Sequence, residues 1–97
     1  MSSGTEAPVQ RDAIIDLDPM YLFRWEEPQQ SYVLLYPEGV VKLNQTASSI
    51  LKLCDGTRTV GQIIAELESQ FHGEGITQSV HKFLEVSHAK GWIRINA

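Results

Sequence analysis

The chain has 97 residues, and its eight Lys and Arg against twelve Asp and Glu give a formal charge of −4. That length closes one small core and leaves no room for a large buried active site. With 42% hydrophobic and 21% charged residues the chain is ordinary globular material rather than a disordered one, and its acidic balance disfavours a nucleic-acid surface.

Cys54 is the sole cysteine, so no intramolecular disulfide can form, which fits a reducing compartment. Met1 to Pro19 has no apolar run like a signal peptide, and no stretch is long and apolar enough to span a bilayer. A cytoplasmic protein with no membrane partner is expected. Residues 1–18 are read as a flexible tail rich in small polar residues, and 19–97 as one domain. The patch Ile14-Ile15-Asp16-Leu17 is apolar enough to lie on that domain or on a neighbour.

In chain order, Tyr21, Phe23 and Trp25 alternate with Leu22 and Arg24 as a strand does. Glu26 to Gln30 is a polar loop. Tyr32 to Leu35 is apolar on both faces and belongs inside a sheet. Tyr36-Pro37-Glu38-Gly39 is a tight turn, with Pro37 presetting a type I geometry and Gly39 expected in the left-handed region as a bulge. Val40 to Leu43 is the third antiparallel strand.

The period then changes. Ala47, Ile50, Leu51 and Cys54 follow helical spacing behind an Asn44 N-cap, and Asp55-Gly56 stops the helix. Thr59 with Gln62 is a capping box ahead of a stripe of Val60, Ile63, Ile64, Leu67 and Phe71. His72 to Gly75 is a break. Thr77 is expected to cap a third helix with the stripe Val80, Phe83, Leu84 and Ser87, which Gly91 ends. Trp92 to Ile95 is a short closing strand. The class expected is α+β: an N-terminal three-stranded antiparallel sheet, three helices and a C-terminal strand, in the order of a winged helix-turn-helix domain.

Several patterns could carry chemistry. His81, Glu85 and His88 share one helical face at metal-ligand spacing, yet nothing close in sequence completes a site, and a solvated face is the simpler reading. Cys54 lies on a buried stripe and reads as core rather than nucleophile. Glu26-Glu27 and Glu66/Glu68 are solvated charges, since catalytic pairs need a cleft. Trp25 and Trp92 read as packing residues. No phosphate-binding glycine loop is present. No metal, no cofactor and no catalysis are expected.

The run Leu35-Tyr36-Pro37-Glu38-Gly39, then Leu43-Asn44, Ala47, Ile50-Leu51 and Leu53-Cys54-Asp55-Gly56 resembles the signature of the PqqD family. Thr59-Val60, Ile63-Ile64, Leu67 and Gly91-Trp92-Ile93 continue it, so the likeness spans Pro19 to Ile95. Ser87 departs from the pattern, being polar where an apolar residue is usual. The resemblance implies a non-catalytic module that binds the ribosomal precursor peptide PqqA and delivers it to PqqE, a radical S-adenosylmethionine enzyme, during pyrroloquinoline quinone synthesis. It also implies that the peptide adds a strand beside the third sheet strand and lies against the third helix.

The residues themselves allow this. A strand with an open edge offers free donors and acceptors that an extended guest can satisfy. The candidate peptide-binding residues are therefore Val40, Val41, Lys42 and Leu43 on the edge, with Phe83, Val86, Ser87 and Lys90 on the helix. A monomer or a homodimer is compatible with such an edge. The competing reading is a winged-helix DNA-binding protein, which requires basic side chains on the third helix; Lys82 and Lys90 are offset there by Glu85.

Overall fold

The computed structural model describes residues 10–71, 73 and 75–96. The elements run β1 (Ile14–Leu17), β2 (Leu22–Glu26), β3 (Ser31–Tyr36), β4 (Gly39–Lys42), α1 (Gln45–Lys52), β5 (Asp55–Thr59), α2 (Val60–Gln70), α3 (Ile76–Ala89) and β6 (Ile93–Asn96). They form a small mixed α/β domain of three helices and two three-stranded antiparallel sheets, ordered β2-β3-β4 and β5-β1-β6.

The first sheet is the one expected from the alternation. β3 is central, and Val33 and Leu34, on opposite faces, are both fully buried. The rows Phe23–Leu34–Val41 and Trp25–Tyr32–Leu43 face the helices. Phe23 and Tyr32 stack at 4.8 Å, with Trp25 edge-on to Tyr32 at 5.1 Å. The hairpin between β3 and β4 differs from expectation. Tyr36 pairs directly with Gly39, and Gly39 does not have a positive φ, so the loop is a two-residue turn without a bulge. A Cβ at Gly39 would meet the end of the Tyr36 side chain at 3.4 Å, an ordinary contact, so neither φ nor space demands glycine there.

The second sheet was not expected. Ile14 to Leu17, assigned to the tail, is the central strand of that sheet. Ile15 is fully buried within the main core, so the folded part begins well before residue 19. The closing strand β6 pairs with β1 and not with β4. Asp55 and Gly56 do not merely stop α1; they open β5, whose residues 55 to 59 face only 14 to 16 of β1, so the strand bulges.

The helices follow local chemistry. Asn44 Oδ1 accepts from the Ala47 N–H at 2.8 Å. Thr59 and Gln62 form the full capping box, with bonds of 2.8 and 3.2 Å. Two readings are corrected. Thr77 does not cap α3: Gly75 is the N-cap, and the Thr77 hydroxyl donates to Glu68 from inside the first turn. Phe71 is not on the buried stripe of α2, because the helix ends at Gln70 and Phe71 is 39% exposed. His72 and Glu74, in the expected break, lie outside the described residues, as does the tail up to residue 9.

Candidate peptide-binding site

The bonding phase of the β3–β4 ladder fixes which parts of β4 are available. Tyr32 opposes Leu43, and the Leu43 N–H donates to the Tyr32 carbonyl at 3.0 Å. In an antiparallel pair such bonded positions recur at every second residue, so Gly39, Val41 and Leu43 turn their backbone groups toward β3. Val40 and Lys42 turn theirs away. Among the described residues nothing pairs with those groups, and no strand lies beyond β4. Of the four edge residues expected from sequence, two therefore present an open backbone, and the other two hold β4 to the sheet.

β4 leads through Leu43 and Asn44 directly into α1. A hollow of about 240 Å³ begins there, lined by Gln45, Thr46, Ser49 and Ile50 of α1, Leu67 and Phe71 at the end of α2, and Ile76, Ser79 and Val80 of α3. Gln45 is the third residue after Lys42, so the hollow's rim lies within about 11 Å of the open edge. Ser79 also borders a shallower hollow with Gln78, Lys82, Phe83 and Val86. The two hollows share a wall, and together they run along α3 with a mainly apolar lining, the character of ligand-binding clefts. Phe71 and Val86, each 39% exposed, are the apolar side chains that hydrophobic burial has left open along it.

The helix residues expected to bind divide accordingly. Phe83 and Val86 line the groove. Ser87 has 0% exposure and its hydroxyl has no hydrogen-bond partner, so it is enclosed in the core and a guest on the surface does not reach it. Lys90 is the C-cap of α3 and lies 5.7 Å from the Trp92 ring centroid, away from the groove lining. The lining residues Gln45, Thr46, Ser49, Phe71, Ile76 and Ser79 were missed. Helical spacing assigns Phe71 to the buried stripe of α2, and the polar lining residues carry no periodic signal in the sequence.

The other chemical candidates fall away on geometry. Among the described residues no group of three or more His, Cys, Asp or Glu is placed to hold a metal. The Cys54 thiol is buried and donates to the Ile50 carbonyl at 3.3 Å. Burial, helped by the charges of Asp55 and Asp16, pushes its pKa up to about 12, the reverse of what a nucleophilic cysteine needs. Trp25 Nε1–H donates to Glu27 at 2.9 Å, which, with Gln30, holds that exposed carboxyl below its usual range. No helix among the described residues is long and apolar enough to cross a membrane.

Residues 31–93 match the sequence profile of the family described as coenzyme PQQ synthesis protein D (PqqD). The chain belongs to the PqqD family. Similar proteins include the PqqA binding protein of Methylococcus capsulatus, 44% identical over 89% of this chain and 92% of that one. That of Acinetobacter baylyi is 49% identical over 75% of each. Among solved structures, the PqqD portion of Methylobacterium extorquens PqqCD, described as a functional, stand-alone recognition element for ribosomally made, modified peptides, superposes with a TM-score of 0.72. It is 26% identical and covers 89% of this chain and 94% of that one. The heterocyclase TruD contains the same fold within 12% of its length, at a TM-score of 0.68 over 88% of this chain and 23% identity.

Proposed function

We propose that this PqqD-family chain is a non-catalytic peptide carrier that takes the PqqA precursor as an added strand along β4 and presents it to PqqE. The observation that carries the reading is the pair of open backbone positions, Val40 and Lys42, on a strand that leads into an apolar groove along α3. The backbone supplies affinity that tolerates many sequences, and the groove supplies pockets for alternate side chains. The relatives named PqqA binding protein and the recognition element of Methylobacterium extorquens support PqqA as the guest. Among the described residues the outer edge of β2 is open too, but it runs into the Glu27–Gln30 turn rather than into the groove.

Proline substitution tests this. Proline is tolerated on an edge strand where its missing N–H faces solvent, so Val40→Pro and Lys42→Pro leave the fold intact. Each leaves a guest carbonyl unpaired, which costs about 1–3 kcal/mol, or roughly a tenfold loss of PqqA affinity. Val41→Pro breaks the β3–β4 ladder and unfolds the hairpin. Calorimetric titration with PqqA, alongside circular dichroism of each variant, reads both effects. Unchanged binding by a folded Lys42→Pro protein overturns strand addition. Presentation is tested by the rate at which PqqE modifies PqqA, which the wild-type chain raises and Lys42→Pro does not.

A further inference from the structure

The sheet β2-β3-β4 has a second face, turned away from the helices, and two of its rows end on the open edge. The register aligns Leu22, Leu35 and Val40 in one row and Arg24, Val33 and Lys42 in the next. The first row is apolar and its two ends are exposed: Leu22 is 55% and Val40 54% exposed. In the second, Val33 is fully buried yet stands outside the main core cluster. Arg24 pairs with Glu26 at 3.6 Å, whereas Lys42 has no ion-pair partner among the described residues. The residues that end these rows, Val40 and Lys42, are also the two whose backbone groups point outward.

That coincidence has a consequence for any strand laid beside β4. A guest residue in register with Val40 puts its side chain on the same face as Val40, about 4.5–5.5 Å away, and the guest residue two positions along stands beside Lys42. We propose that the outer face of β4 reads the guest: it selects an aliphatic or aromatic side chain in register with Val40 and a carboxylate in register with Lys42, two residues apart. The inference rests on strand addition along β4. The guest is then read on both faces, by the groove through one set of alternate side chains and by Val40 and Lys42 through the other. A lysine that serves only to guard an edge against uncontrolled pairing has no preference for the sign of one particular guest residue, which separates the two roles.

The experiment is a positional scan. PqqA peptides carrying a single Glu or a single Lys at each position are titrated at low salt against wild type, Lys42→Glu and Lys42→Ala. At one guest position wild type prefers Glu over Lys by about fivefold, the range of a cross-strand charge pair; Lys42→Glu inverts that preference, and Lys42→Ala abolishes it. Two residues from that position, replacing an aliphatic guest residue by Thr weakens binding to wild type but not to Val40→Thr. A shift of equal size for every peptide, no inversion, or an odd spacing between the two positions overturns the inference. The Lys42→Pro protein separates the failures. If Lys42→Pro binds PqqA as wild type does, strand addition itself is wrong and this inference falls with it. If Lys42→Pro loses binding while the charge preference fails to invert, only the outer-face reading is wrong.

Discussion

Ser87 shows how far a single position can be read. Helical spacing puts it on the buried stripe of α3, and there it is, fully enclosed with an unpartnered hydroxyl. A buried hydroxyl without a partner costs about 1–3 kcal/mol in lost hydration, so Ser87→Ala is expected to raise stability by about 1 kcal/mol, read as a higher urea midpoint with an unchanged slope. A lowered midpoint would show that the hydroxyl is bonded. How completely it is enclosed was not legible, because periodicity gives the angular position of a side chain and not what closes over it. Cys54 was legible on both counts. Its stripe position and its place just after the last turn of α1 imply burial, and burial is what raises its pKa.

At the level of elements, the caps were the most readable features because their chemistry spans only three or four residues. Asn44 and Thr59 fulfil the bonds their sequences announce, and Gly91 ends α3 as expected. The Trp92 N–H donates to the Ser87 carbonyl at 2.9 Å and the Gly91 N–H to that of His88 at 3.0 Å, a Schellman closure with Gly91 at φ +81. A side chain at that φ costs about 1–2 kcal/mol. Gly91→Ala is therefore expected to lower the melting temperature by several degrees, about 4–8 °C per kcal/mol for a domain of this size. No change would mean the closure does not hold the helix end. The start of α3 was misread for a related reason. The conformation at Gly75 supplies the turn, so the nearest hydroxyl, Thr77, was not needed. β5 was hidden by its sequence, since Asp-Gly at its head reads as a stop and only its pairing with β1 makes it a strand.

At the scale of the whole molecule, what the sequence concealed is also what holds the site in place. β1 is four residues long, and its partners are residues 55–59 and 93–96. No local pattern announces pairings that distant, whereas the β3–β4 hairpin, closed by a two-residue turn, was plain. The groove was hidden likewise, because its lining comes from the start of α1, the end of α2 and both halves of α3. β1 connects these parts. It pairs with β6, which contacts α3, and with β5, which contacts α2. Burying Ile15 alone is worth about 1.5–3 kcal/mol, and small domains have only about 5–15 kcal/mol in total. A chain begun at Pro19 keeps every residue of the open edge and of the groove, yet it loses Ile15 and leaves β5 and β6 without their shared partner. It is expected to be largely unfolded by circular dichroism, prone to aggregate through the exposed strands, and unable to bind PqqA. A truncated chain that stays folded and binds normally would show that the β2-β3-β4 sheet and the helices suffice alone. The expected failure would show that peptide binding depends on a strand that contributes nothing to the open edge or to the groove lining, because that strand fixes the helices that form the groove.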